Sequence, residues 1–384
     1  VFLLYSRSQT EGQRLLTCIL AMLLCYWCFG YGAWLCLALM LAAGIIAHHQ
    51  KLSALLAVGI LLLPATQYPA TTWWSKPDLD REYVLSLDVE HYFGNIQKMR
   101  KHLETDRQIL WVTYYRNLYN ATHPSEINSP VSLSRNLLAW NQPGTNGLIL
   151  PVNPSASFLS ILFANELWFT LGDMTMAEHC AMLSMIFSPR NSGSRMIKRL
   201  AEINLVNGDD EAALKYLRIL DKTLLHKSWA EKRIPGQQTP RVKEWLEKKR
   251  RDIPTQDQLR SGNDAVTSLR NLVASNAGNL RAYEYLLCYH LLSKDLRSFV
   301  EDYVPGKVSS PIFAEALLIH LARQGNIRAE ELIKYQIPVE IAKEFADYTR
   351  LYEAKDTSLK EKYGKTYWFY YHFATTEPGK ESKP

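Results

Sequence analysis

The uncharged stretch from Leu15 to Ala47 constrains the fold of this chain more than any other feature. It contains 33 residues, which as one helix would be about 50 Å long, whereas the hydrocarbon core of a bilayer is ~30 Å thick. A turn at Gly30-Tyr31-Gly32 would divide the stretch, and a second apolar block follows Lys51. We therefore predict an N-terminal region of transmembrane helices over residues 1–66, with about three spans near Leu15–Phe29, Ala33–Ala47 and Leu52–Ala65.

The distribution of basic residues predicts the orientation of these spans. Arg7 and Arg14 precede the first span, the glycine turn carries no charge and Lys51 lies in the second loop. Basic loops are retained in the cytoplasm, so three spans would place the residues after Trp74 outside it, whereas two spans would place them inside. Because the first residue is Val1, we also expect this chain to be the end of a larger polytopic region, with an unknown number of earlier spans.

The pair Cys25 and Cys28 has the spacing of a thiol–disulfide exchange motif, in which one thiolate attacks and the other resolves. The pair lies about ten residues into its span, where a low dielectric raises the pKa of a thiol and suppresses the thiolate. Cysteine is also common as a small apolar residue in buried helices. Packing is therefore the favoured interpretation, and redox chemistry stays open as an alternative.

From about residue 77 the composition changes to charged amphipathic segments, and apolar residues recur at three- and four-residue steps. No alternating strand pattern is present, so we predict an all-α fold. The predicted divisions are a helical connecting region (77–150), helical repeats (151–352) with an insertion near 230–263, and an aromatic C-terminal helix with a polar tail (353–384). Helical spacing is clearest at Leu159–Leu171, Arg195–Val206, Glu211–Leu220, Ala282–Leu292 and Ala314–Ala322.

The helices end in a recurring pattern, in which a glycine stops one helix, Asp or Asn caps the next, and a small residue follows four or five places later. The three examples are Gly172, Asp173 and Ala177; Gly208, Asp209 and Ala213; and Gly325, Asn326 and Ala329. The first two glycines are 36 residues apart, close to the ~34-residue period of tetratricopeptide repeats. The segments LWFTLGDMTMAEHCAMLSMIF and INLVNGDDEAALKYLRIL resemble degenerate units of that family. The resemblance implies a tetratricopeptide-like α-solenoid after the membrane spans.

The apolar spans are followed by DREYVLSLDVEHYFGNIQKMRKHLE, then by SRNLLAWNQPGTNGLILP, and then by the repeat-like helices. This order resembles an uncharacterised family of polytopic membrane proteins from Gram-negative gut bacteria. That resemblance implies an architecture. With three spans oriented by Arg7, Arg14 and Lys51, we predict a location in a bacterial inner membrane and a soluble domain in the periplasm. The resemblance implies no activity, because the family has none established.

The insertion is expected to hold one charged helix around Val242–Arg251. Its basic run, Lys248 to Arg251, is interleaved with Glu244, Glu247 and Asp252, so we interpret it as a solvated helix face and predict no nucleic-acid partner. No nucleotide-binding, hydrolase or paired-histidine metal motif occurs in the sequence. We therefore assign no catalytic, cofactor-binding or metal-binding residue, and regard an enzyme as the less favoured class.

The function hypothesis is a membrane-anchored platform that binds a protein or peptide, with the lipid bilayer as its other partner and an unknown oligomeric state. Such solenoids bind peptides on their concave face, and the candidate binding-surface aromatics are Trp111, Tyr115, Trp140 and Trp168. A further aromatic cluster at the C-terminal end could cap the last helix or rest on a membrane or a partner. Two alternatives stay open: an acceptor-binding part of a polytopic glycosyltransferase-like enzyme with its active site upstream, and thiol–disulfide exchange through Cys25 and Cys28.

Overall fold

The computed structural model of this chain describes residues 79–104, 109–123, 133–140, 144, 147–152, 158–187, 193–255 and 264–374. Residue contacts divide the chain into two compact units, Val1–Tyr83 and Val84–Pro384. Only the last residues of the first unit, 79–83, are described, and all other described residues belong to the second unit. The predicted spans and the Cys25–Cys28 pair lie outside the described residues, and none of the described helices is long and apolar enough to cross a bilayer.

The described residues form helices and turns without any β-strand, which confirms the all-α prediction. The helices are α1 (Leu79–Tyr92), α2 (Ile96–Leu103), α3 (Leu110–Thr122), α4 (Leu133–Trp140), α5 (Phe158–Leu171), α6 (Met174–Phe187), α7 (Ser194–Asn207), α8 (Asp210–Asp221), α9 (Lys227–Glu231), α10 (Pro240–Arg250), α11 (Ala265–Ser275), α12 (Leu280–Leu292), α13 (Leu296–Asp302), α14 (Pro311–Arg323), α15 (Ala329–Lys334), α16 (Val339–Glu353), α17 (Leu359–Tyr363) and α18 (Tyr367–Phe373). The five segments with the clearest helical spacing lie in α5, α7, α8, α12 and α14, and the charged helix of the insertion is α10.

One type of turn recurs in the described part of the chain, and α5–α6, α7–α8, α12–α13 and α14–α15 are four of the helix pairs that it joins. A residue in the left-handed region ends the first helix of each pair: Gly172 (φ 91°), Gly208 (φ 83°), Lys294 (φ 58°) and Gly325 (φ 65°). The N–H of the next residue then donates to the carbonyl five residues earlier, which satisfies an end carbonyl of the helix. Glycine suits three of these positions because it lacks the Cβ that disfavours positive φ.

The beginning of the second helix differs between the pairs. The carboxylates of Asp173 and Asp209 accept hydrogen bonds from the N–H groups of Met176 (2.8 Å) and Ala212 (2.9 Å), as expected of helix caps. Asn326 does not act in this way, because α15 begins after Arg328 without a side-chain cap.

Small residues allow close helix crossing in the first two pairs only. Ala177 and Ala213 are completely buried between the helices. The corresponding residue of α13 is the large, buried Phe299, whereas Ala329 is exposed on α15, a six-residue helix without a buried residue. The α14–α15 turn therefore lacks the close helix crossing that the sequence pattern predicts, since α15 is too short to pack along α14.

The rest of the second unit is built around α4, α12 and α14. Helix α12 packs against α4, α11 and α13, and α14 packs against α4, α13, α16 and α18. The buried Glu284 of α12 accepts a hydrogen bond from the N–H of Ser134 (3.0 Å) and so caps the beginning of α4. Burial raises the pKa of Glu284 to about 7, and this capping role accounts for an acid at the centre of the core.

Candidate functional site

The C-terminal helix α18 is fixed at both ends by side chains from α14 and the α12–α13 turn. At its beginning, the carboxylate of Glu315 accepts a hydrogen bond from the N–H of Tyr367 (2.5 Å). At its end, the ammonium group of Lys294 donates to the carbonyl of Tyr371 (2.9 Å). Both contacts satisfy backbone groups that have no partner inside a helix. Helix α18 is therefore held firmly although it has only seven residues.

Two tyrosine hydroxyls attach α18 to the end of α12. Tyr367 donates to the carbonyl of Leu291 (3.0 Å), and Tyr370 donates to the carbonyl of Leu292 (2.8 Å). These carbonyls belong to the last turn of α12 and need partners from outside that helix. The buried face of α18 thus serves packing, and its other face remains available.

An open cavity of about 580 Å³ lies between that other face of α18 and the end of α16. Tyr352, Phe369 and Phe373 supply its aromatic walls. Phe369 and Phe373 stack with ring centroids 4.5 Å apart, and Tyr352 meets Phe373 edge to face at 5.9 Å. Tyr352 is 41% exposed and Phe373 is 50% exposed, so a ligand can reach both rings. The volume is within the ~300–1,000 Å³ range of ligand pockets in proteins.

The rim of this aromatic cavity comes from the α16–α17 connection and carries no net charge. Glu353 and Asp356 are balanced by Lys355 and Lys360. The connection is ordered by hydrogen bonds: the Asp356 N–H donates to the carbonyl of Leu351 (3.0 Å), while its carboxylate accepts from the N–H of Ser358 (2.8 Å). Aromatic walls with a balanced polar rim favour a neutral apolar group whose ends can form hydrogen bonds.

His372 packs against the ring of Tyr352. Its ring stacks on Tyr352 at 4.6 Å, and its Nδ1 lies 2.8 Å from the hydroxyl of Tyr348. Burial lowers the pKa of His372, despite the nearby carbonyl of Trp368. Partial burial against Tyr352 therefore favours the neutral imidazole, although His372 keeps an exposed surface.

The aromatic residues that the repeat resemblance suggested for a binding surface are placed elsewhere. Tyr115 and Trp168 are buried in the core, and Trp111 is half-buried. The hydroxyl of Tyr115 donates to the carboxylate of Asp88 (2.6 Å), which explains how a tyrosine is accommodated there. The side chain of Trp140 is outside the described part of the chain. Tyr115 and Trp168 cannot contact a partner in this structure, since neighbouring helices cover them.

A buried ion-pair cluster joins α1, α5 and α7. Arg195 contacts Asp88 (2.5 Å) and Glu166 (2.8 Å), and Arg199 contacts Glu166 (2.6 Å). Burial alone would raise the pKa of Glu166, but Arg199, a hydrogen bond with His91 and Arg195 together hold it well below its ordinary value. Glu166 is therefore ionised at neutral pH and shared between two guanidinium groups. This arrangement stabilises the packing and leaves Glu166 unsuited to act as a general acid.

Helix α10 packs against α7 and contacts Phe169 of α5. Its Val242 and Leu246 are buried, and its Trp245 stacks on Phe169 of α5 with ring centroids 6.3 Å apart. The ammonium group of Lys249 lies 4.6 Å from the centroid of the Phe169 ring. The insertion thus covers part of the α5 and α7 surface.

The basic run of α10 is not a fully solvated face, which corrects the sequence-based interpretation. Arg250 donates hydrogen bonds to the carbonyls of Leu205 (2.8 Å) and Val206 (3.0 Å) at the end of α7. Lys249 is largely removed from water, and burial together with Arg199 lowers its pKa to about 8. Two of the four basic residues in this run therefore point toward the protein, because they pair with a helix end and an aromatic ring.

The two described cysteines are buried, and burial suppresses their thiolate forms. Cys180 and Cys288 are buried free thiols. Burial raises the pKa of Cys180 to about 12, and burial with Glu284 raises that of Cys288 well above the ordinary range. Among the described residues, no group of three His, Cys, Asp or Glu side chains could hold a metal ion.

These features define an all-helical protein with packed helix pairs and an aromatic cavity at the C-terminal end of its described region. The chain belongs to the family of unknown function DUF6057, whose match covers residues 52–374. This match confirms the prediction that the chain belongs to an uncharacterised family. No curated protein and no solved structure matches the chain.

Sequence reasoning found the aromatic C-terminal cluster but not the cavity. Phe369 and Phe373 are four residues apart, so their position on one helix face could have been predicted from α18 alone. Tyr352 could not be added in that way, because its approach to Phe373 depends on how α16 and α18 pack.

Proposed function

We propose that this protein is a membrane-anchored interaction platform that binds a segment of another protein, or a peptide. The aromatic cavity carries the proposal, because it combines exposed aromatic rings, a fixed helix and an ordered polar rim. In protein interfaces most of the binding energy comes from a few aromatic or apolar anchors seated in pockets. Tyr352, Phe369 and Phe373 offer such a pocket.

The proposed mode of binding is insertion of one apolar or aromatic side chain of the partner between Tyr352 and Phe373. Edge-to-face and stacked contacts with these rings would favour an aromatic anchor. The partner's backbone would then meet Glu353, Lys355 and Asp356 at the rim, where donors and acceptors are both present. A strongly charged segment gains little there, because the rim has no net charge.

The face of α5 and α7, where a tetratricopeptide-like solenoid would bind a peptide, is the less favoured location. Trp245 and Lys249 of α10 already contact Phe169 on that face, and Asp88 of α1 is paired with Arg195. A partner would have to displace both elements. The C-terminal cavity requires no such displacement.

The predicted spans at residues 1–66 give this platform its proposed role at the membrane. Anchoring raises the effective concentration of the platform toward any partner in the same membrane. We place the platform on the periplasmic face, following the distribution of Arg7, Arg14 and Lys51. Thiol–disulfide exchange by Cys25 and Cys28 stays a prediction, since both residues lie outside the described part.

Selection of peptides by the full chain tests the proposal. A random peptide library is selected on the full chain in detergent and counter-selected on empty detergent micelles, and the affinity of the enriched peptides is then measured for wild type and for the Phe373→Ala variant. We expect enriched peptides to share an apolar or aromatic residue. Their affinity should fall about 10- to 100-fold in Phe373→Ala, the usual effect of removing an anchor's contact in a pocket.

The matched control is Tyr335→Ala, which removes a half-buried ring from the end of α15, outside the cavity. Peptide affinity should be unchanged in this variant. The proposal fails if the enriched peptides bind wild type and Phe373→Ala equally well, or if they lose affinity only when the α5–α7 face is altered.

A further inference from the structure

Two leucines in the α8–α9 turn are exposed to an unusual degree. Leu224 is 97% exposed and Leu225 is 84% exposed. The turn is not loose: the Thr223 hydroxyl donates to the carbonyl of Leu220 (2.7 Å) and accepts from the N–H of His226 (3.2 Å). The backbone therefore holds both side chains outward. Isolated surface leucines are ordinary, but two adjacent, almost fully exposed ones at an ordered tip call for a partner.

Amphipathic aromatic residues and cations lie next to this leucine tip, the α8–α9 turn that carries Leu224 and Leu225. Trp229 lies four residues after Leu225, with the guanidinium of Arg233 4.0 Å and the ammonium of Lys198 5.0 Å from its ring centroid. Lys198 also lies 4.5 Å from the centroid of the Tyr92 ring. Tryptophan and tyrosine beside long cationic side chains are typical of the interfacial zone of membranes.

The same lysine connects the leucine tip to a second apolar tip. Phe93 follows Tyr92 in the α1–α2 turn and is 69% exposed, with its ring 5.2 Å from that of Tyr92. Both turns are therefore close to Lys198. They are separate protruding tips rather than a continuous flat patch or a groove.

The charge around the leucine tip is positive. Residues 221–233 carry four basic and two acidic side chains, an excess of two positive charges. The basic residues are Lys222, Lys227, Lys232 and Arg233, and the acidic residues are Asp221 and Glu231. Lys222 and Lys227 flank the leucines and are exposed. An anionic partner surface therefore complements this segment.

We propose that Leu224, Leu225 and Phe93 rest in the interface of an anionic lipid bilayer, with Lys222 and Lys227 against lipid head groups. A bilayer accepts protruding apolar tips without a matching pocket, whereas a protein partner would need two separate cavities of the right spacing. Apolar burial and attraction to anionic lipids act together in this form of binding. This contact is independent of the aromatic cavity and of what binds there.

The test uses the full chain with its native cysteines replaced by alanine and a single Leu225→Cys, labelled with an environment-sensitive nitrobenzoxadiazole dye. The labelled chain is transferred to vesicles of phosphatidylcholine, alone or mixed with phosphatidylglycerol. Quenching by a lipid that carries a nitroxide near its head group measures contact with the interface. The dye at position 225 should be quenched in the anionic vesicles and much less in the neutral ones.

The matched control is Ile333→Cys, an apolar position that is 77% exposed on α15 and should stay unquenched in both vesicles. The double variant Lys222→Glu/Lys227→Glu should weaken the contact of the 225 label at least about tenfold, since one lysine at an anionic surface contributes about fivefold. Equal quenching at 225 and 333, equal quenching in neutral and anionic vesicles, or dye self-quenching between copies in detergent would each overturn the proposal.

Discussion

Replacing Gly172 by alanine should destabilise the protein far more than replacing Gly208, although both glycines end a helix in the same type of turn. Their φ angles are 91° and 83°, so a new Cβ is equally disfavoured by the backbone at both positions. The surroundings differ. A Cβ at Gly172 would lie 2.2 Å from the carbonyl oxygen of Asp252, whereas nothing lies within 4 Å of one at Gly208.

The size of the difference follows from what holds Asp252. Its carbonyl accepts a hydrogen bond from the side chain of Asn279 (2.7 Å), which also donates to the carbonyl of Leu171 (2.7 Å). Moving Asp252 away from the new Cβ would disturb these buried bonds. The left-handed conformation costs about 1–2 kcal/mol at either site. Overpacking and a weakened hydrogen bond add about 2–4 kcal/mol at Gly172 alone.

Thermal unfolding of the full chain in one detergent, followed by far-ultraviolet circular dichroism, measures the difference. At about 2 °C per kcal/mol for a large domain, Gly172→Ala should unfold roughly 4–8 °C below Gly208→Ala. Equal midpoints for the two variants would contradict this prediction, because they would mean that the segment after α10 does not press against the α5–α6 turn.

Three further predictions concern buried titratable groups. Glu166→Gln should cost about 3 kcal/mol at neutral pH, because it removes the buried charge that Arg195 and Arg199 share, although Arg195 keeps Asp88 and Arg199 keeps Glu202. The folded pKa of Glu166 is lowered, so its stabilisation is present above about pH 4.3 and is lost as the pH falls through the folded value. Urea unfolding of the variant should therefore show a weaker acid dependence than that of wild type. Lys249→Met should stabilise the protein by about 1–3 kcal/mol at neutral pH, since the folded pKa of Lys249, about 8, is below the unfolded value of about 10.4. The free energy of unfolding of wild type should therefore rise as the pH increases between these two values. A flat response over this range would contradict the prediction. With the other cysteines replaced, Cys180 and Cys288 should resist a thiol reagent until urea unfolds the chain, and rapid labelling of the native protein would show that their burial is wrong.

The local parts of this fold could be predicted from the sequence because they depend on neighbouring residues. Gly172 and Gly208 end helices through their own φ angles, and Asp173 and Asp209 cap the following helix within one turn. Lys294 shows the limit of such reasoning about glycine, since a lysine adopts φ 58° in the same kind of turn. There, the contact of its ammonium group with the end of α18 helps to hold an otherwise disfavoured conformation.

Contacts between distant segments could not be predicted in the same way. Nothing near Arg195 in the sequence indicates that it pairs with Asp88, and nothing near Lys249 indicates that Phe169 lies beneath it. The basic run of α10 therefore gave a misleading impression of a solvated face. A side chain's surroundings depend on helix packing, which a periodic pattern does not specify.

The aromatic cavity is an intermediate case. Its α18 wall follows from the four-residue spacing of Phe369 and Phe373, whereas its Tyr352 wall depends on the connection that returns the chain from α16 to α18. The residues first considered for binding, Tyr115 and Trp168, belong to the core instead. Large aromatic residues fill cores more often than they line binding surfaces.

A crystal structure of the full chain with a peptide selected by it would show whether the aromatic cavity is the binding site. We expect one apolar or aromatic side chain of the peptide between Tyr352 and Phe373, with the α16–α17 connection against the peptide backbone and α10 still in contact with Phe169. A peptide bound along α5 and α7, with Trp245 displaced from Phe169 and the aromatic cavity empty, would contradict this expectation.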